Sequence, residues 1–94
     1  MSAVDAPASR LTPPVSERVR KIIASVIEVE IERVTDDAYL GVDLGADVLD
    51  QVELEVEIED EFDVRFADDE FEIKRQTRVC DVIAQVQRKL AEGR

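Results

Sequence analysis

From Val52 to Glu59 the chain reads V-E-L-E-V-E-I-E, apolar and acidic residues in strict alternation. At period two this is a strand pattern, and Val and Ile favour strands. At the helical period the same residues sort differently. Leu54, Ile58 and Phe62 fall on one stripe at i, i+4 and i+8, and Leu49, Val52 and Val56 on an adjacent one. Spacing alone leaves both open, but charge separates them. A strand would line Glu53, Glu55, Glu57 and Glu59 in one like-charged row, with no basic segment nearby to pair it. A helix fans those carboxylates around its surface. Asp47 then serves as N-cap, with Asp50 three residues on in the capping-box place. Gly41 and Gly45 allow turns just before it. The expectation is a helix from Val48 to Phe62.

The remaining segments suit an all-α chain. Residues 1–15 hold all three prolines and read as a flexible tail. The folded domain is expected over 16–92. Ser16 is an N-cap candidate for a helix carrying Val19, Ile22, Ile23, Val26 and Ile27 and ending near Val29. Residues 30–42 lack sustained periodicity, and Ile31, Val34, Tyr39, Leu40 and Leu44 are the expected apolar anchors of a long ordered loop. Val64 and Phe66 read as a short extended piece. A small helix or turn is expected around Asp68 to Ile73. Thr77 is expected to cap a last helix with Val79, Val82, Ile83, Val86 and Leu90 inward and Arg88 and Lys89 near its C-terminal end.

The formal charge of −11 argues against binding nucleic acid, whose phosphates need Lys and Arg, and against docking on an anionic membrane. Of 23 acids, 14 lie between Asp43 and Glu72, where Arg65 is the single base. One strongly acidic face follows, suited to basic protein partners. With no His and one Cys, neither a Cys/His zinc site nor a Ser–His or Cys–His catalytic pair is available. Asp68 and Asp69 lack the frame of a calcium loop. No catalytic or metal-ligating set is therefore assigned, and Cys80 reads as a thiol of the last helix. No apolar run approaches spanning length, so a soluble, cytoplasmic monomer is expected.

The block D-L-G-A-D-V-L-D-Q-V-E-L at 43–54, followed by E-D-E-F-D-V, resembles the central segment of the acyl carrier protein family. Weaker likeness extends through E-R-V-R-K-I-I, E-R-V-T-D-D-A-Y-L and T-R-V-C-D-V-I, covering roughly residues 16 to 90. The resemblance implies a small bundle of three main helices plus one short helix, with a long loop between the first and second. It implies display of acyl chains on a 4′-phosphopantetheine arm to enzymes of fatty acid or related acyl-chain synthesis. The arm joins a serine at the start of the second helix, a place that suits a phosphodiester because helix N-termini present free N–H groups. Asp43, Gly45, Asp47, Leu49 and Asp50 match the motif around that serine. Asp47 matches the aspartate that helps the modifying transferase and its magnesium.

At the serine position stands Val48. An isopropyl group cannot attack coenzyme A, so the arm has no attachment here. Either a serine has been replaced, locking a carrier in its unmodified form, or the domain is a carrier-like adaptor or regulator that never carries an arm. The resemblance also marks Leu49, Asp50, Val52, Glu53, Val56, Glu59 and Asp60 as partner-binding residues. It implies contact with basic surfaces of acyl-chain biosynthetic enzymes or a phosphopantetheinyl transferase. Two departures bear on this. Glu55 and Glu57 stand where the family has apolar or small residues, and a carboxylate at 55 would discourage a buried acyl chain unless it turned outward. About two extra residues in I-K-R-Q precede Thr77.

Overall fold

Helical periodicity prevails in all three main segments. The computed structural model describes residues 14–67 and 70–92. It contains α1 (Val15–Ile27), a single 3-10 turn at Ile31–Arg33, α2 (Val48–Phe62) and α3 (Val79–Glu92), and no strand among the described residues. The expected tail lies outside the described residues up to position 13. The short helical element is the 3-10 turn in the long loop. Of the small helix or turn expected at Asp68–Ile73, Glu70 and Phe71 form a turn and a bend, and Asp68 and Asp69 lie outside the described residues.

α1 begins earlier than its polar signal suggests. Pro14 is the N-cap and Ser16 is already helical, so Ser16 does not cap. Pro14 has an extended backbone, and its carbonyl accepts from Glu17 N–H and Arg18 N–H, both at 3.1 Å. The helix ends at Ile27, two residues short of Val29, because Glu28 turns left-handed at φ 63° and returns its N–H to Ala24 O. Val19 and Ile23 carry its fully buried stripe, and α1 packs against both α2 and α3.

The core combines the inward stripes with loop residues. Leu54, Ile58 and Phe62 enter from α2, and Val79, Val82, Ile83 and Val86 from α3. Val34, Ala38, Leu40, Leu44 and Ala46 enter from the long loop, and Phe71 from the second connection. Tyr39 is half-buried. Ile31 is exposed and lies outside the core cluster. No polar or charged side chain of the described residues is buried.

The two connections interlock. The turn at 74–77 closes with Lys74 N–H on Thr77 Oγ1 at 2.8 Å and Thr77 N–H on Lys74 O at 3.0 Å. Thr77 therefore caps that turn and not α3. The Arg75 carbonyl in the turn accepts from Gly41 N–H at 3.1 Å and Val42 N–H at 3.3 Å. Backbones meet so closely here that a Cβ on Gly41 would stand 2.7 Å from Arg75 Cα. Tyr39 and Arg78 pair as an antiparallel bridge. The first two donors of α3 are then met by the long loop. Val79 N–H reaches Ala38 O and Cys80 N–H reaches Asp36 O, each at 3.0 Å. Asp81 completes the cap by accepting Arg78 N–H at 3.0 Å.

Candidate functional site

The start of α2 is built as the sequence leads one to expect. Asp47 Oδ1 accepts Asp50 N–H at 2.9 Å, and Asp50 Oδ2 accepts Asp47 N–H at 3.1 Å, a reciprocal capping box. Ala46 N–H on Leu40 O at 2.9 Å fastens the approach to the loop. Gly45 takes φ 81° with open space around it, so its role is conformational. Asp43 Oδ2 accepts Tyr39 N–H at 2.9 Å, while Arg33 donates to the Asp43 carbonyl at 2.9 Å. The motif residues Asp43, Asp47 and Asp50 thus hold the backbone that presents position 48.

Two apolar stripes run down α2 and fare oppositely. Leu54 and Ile58 are fully buried and Phe62 is 7% exposed, whereas Leu49 is 73%, Val52 56% and Val56 49% exposed. Val48 extends the outer stripe and is 73% exposed. Glu53 and Asp60 stand exposed beside it. Asp50 is half-buried in its box. Glu59, half-buried, bends away from the face, and its Oε2 accepts Phe66 N–H at 2.8 Å. Glu59 therefore fastens the chain leaving α2. Of the seven expected partner-binding residues, five are exposed together, and Asp50 and Glu59 also hold the fold.

Hollows flank the helix on several sides. A groove of about 300 Å³ between α1 and α2 is lined by Arg18, Lys21, Ile22, Val26, Glu57 and Glu61. A cleft of about 160 Å³ is lined by Gln51, Val52, Glu55, Phe71 and Ile73. Glu55 is half-buried at that cleft.

Sequence patterning did not reveal the role of Arg18, which reads as a solvent-side base of α1. Its Nε meets Glu61 Oε2 at 2.8 Å, Nη2 donates to the Glu61 carbonyl at 3.1 Å, and the guanidinium lies 4.4 Å from the Phe62 ring centroid. A cation there suits the carbonyl end of α2. No local signal marks that pairing, since 43 residues separate the partners. A second fastening holds the other connection. Lys89 Nζ meets both Glu70 carboxylate oxygens at 3.0 Å. The Ala67 N–H bond to Glu70, then the Lys89 ammonium, hold that carboxyl below the usual carboxylate range.

Among the described residues, no three His, Cys, Asp or Glu stand close enough together to hold a metal ion. No described helix is long and apolar enough to cross a membrane. Cys80 is exposed near the start of α3.

Three helices, a capped α2 and its exposed N-terminal turn define a carrier-type domain. The family model described as "Phosphopantetheine attachment site" matches residues 17–83, and the chain belongs to that family, the acyl carrier proteins. The acyl carrier protein of Akkermansia muciniphila is 45% identical over 74 residues, covering 79% of this chain and 90% of that protein. That of Buchnera aphidicola subsp. Acyrthosiphon pisum is 43% identical over 58 residues, covering 62% of this chain and 72% of that protein. The family's cofactor is 4′-phosphopantetheine. Val48, at the head of α2, offers carbon and no oxygen to bond a phosphate.

Proposed function

We propose that this chain is a carrier-family module of acyl-chain biosynthesis that works by docking α2 on basic enzyme surfaces, and that with Val48 it docks without an arm. It is a binding protein, and the chemistry belongs to its partners. The observation that carries this reading is the outer stripe of α2, Val48, Leu49, Val52 and Val56, all exposed beside Glu53 and Asp60. Scattered exposed apolar residues are ordinary, but four on one helical stripe beside acids form a patch of the interface kind. Fatty acid synthesis or a related pathway supplies such partners, a phosphopantetheinyl transferase among them.

The intact frame of Gly45, Asp47, Leu49 and Asp50 supports a second reading, in which a serine at 48 makes the domain a working carrier. One experiment separates them. The chain and its Val48→Ser variant are incubated with coenzyme A, magnesium and a phosphopantetheinyl transferase, and intact masses are read. The valine chain is expected to stay unmodified and the serine variant to gain the arm. A serine variant left unmodified by several transferases overturns the carrier reading and leaves the adaptor. Binding of the valine chain to a partner enzyme is expected to weaken steeply with salt. Absence of binding at low salt overturns docking.

A further inference from the structure

We propose that Val48 is itself a docking anchor, seated in an apolar pocket of a basic partner protein, so that valine at this position adds a contact instead of merely removing an attachment point. The inference rests on the docking role proposed above and extends it to a specific residue.

At 100° per residue, Val48, Val52, Val56 and Leu49 span an arc of about 100° on α2, with Val48 at one edge. The one acid inside that arc is Glu59, whose carboxylate is turned onto Phe66 N–H at 2.8 Å. The stripe is thereby left apolar to its end. Val48 is as exposed as Leu49, at 73%, and occupies the first helical position, where it stands clear of the preceding turn. Its backbone is held by the Asp47–Asp50 box, so little freedom remains to be lost when a partner closes over it. A β-branched side chain with one strongly preferred rotamer adds to that preorganisation.

The occupant is narrowed by charge. Seven acids and no base lie between Val48 and Phe62. A second copy of this face would bring like charges together, and an anionic lipid surface would be repelled. A protein surface with Lys and Arg around an apolar depression complements both the rim and the stripe. Polar serine at 48 would place a hydroxyl in that depression, where an unpaired donor is costly.

The test uses the full chain with two purified proteins of the same cell: a phosphopantetheinyl transferase and one acyl-chain-extending enzyme. Affinities and rate constants are measured for the parent, Val48→Ala, Val48→Ser, Val48→Ile and Glu53→Lys, with helicity checked for each. Val48→Ala is expected to weaken binding about tenfold, mainly through faster dissociation, with the salt dependence unchanged. Val48→Ser should lose at least as much, and Val48→Ile should stay within about threefold. Glu53→Lys should instead slow association and flatten the salt dependence. Binding that responds to Glu53→Lys but not to Val48→Ala overturns the anchor and leaves docking intact. No binding of the parent chain to either enzyme at low salt overturns both.

Discussion

The two apolar stripes of α2 are made of similar residues on one helix, yet one is core and the other is surface. Leu54 and Ile58 are fully buried in the core, while Leu49 and Val52 lie more than half in water. The difference teaches that apolarity in this chain has two uses. The inner stripe holds the bundle together. The outer stripe adds less burial to the fold, and its cost in solubility is offset by the acids beside it.

Substitution should separate the stripes sharply. Leu54→Ala or Ile58→Ala is expected to lower unfolding free energy by about 2–5 kcal/mol in urea titration, whereas Val52→Ala and Val56→Ala should stay within about 0.5 kcal/mol. Equal losses on the two stripes would break the comparison. The loops that aim the helix come next. Gly41→Ala must push a methyl against Arg75 Cα, a backbone atom, so a loss of about 1–3 kcal/mol in thermal or urea unfolding is expected. Gly45→Ala meets no atom and bears only the left-handed backbone penalty, about 1 kcal/mol. A larger effect at Gly45 than at Gly41 would contradict the interlocked loops. Asp47→Ala removes one side of the capping box and should cost about 1 kcal/mol, with fraying of the first turn of α2 visible by amide hydrogen exchange.

The smallest effect is one of pH. Folding depresses the Glu70 carboxyl below its unfolded value, so its contribution is present above the unfolded pKa and lost as pH falls through the folded one. Glu70→Gln should therefore weaken the chain slightly near neutrality and not at pH below the folded value. Carboxyl titration by NMR should place Glu70 below the usual glutamate range. Titration within that range would remove Lys89 and Ala67 N–H as its fastening.

Much of this was legible before any coordinates. The Asp47–Asp50 box and the inward residues of α1 and α3 are local signals, and the structure holds each of them. Errors arose where a polar signal had a nonlocal competitor. Ser16 gave way to Pro14, whose extended backbone already starts the helix. Thr77 turned back to Lys74 because Ala38 and Asp36 carbonyls meet the first donors of α3. Ile31, apolar in a loop, stayed outside the core.

Of the site, exposure at Leu49, Val52 and Val56 was anticipated from the family likeness and not from periodicity, which treats both stripes alike. The sequence by itself determined that a helix of period 3.6, capped at Asp47 and laden with acids, would form at the centre of the chain, because spacing, capping and charge act within a few residues. Only the tertiary structure decided which stripe was core, that Arg18 would close the far end of α2, and that Glu59 would leave the face for Phe66. Those outcomes depend on contacts made between segments well apart in the chain, and no local pattern carries that information.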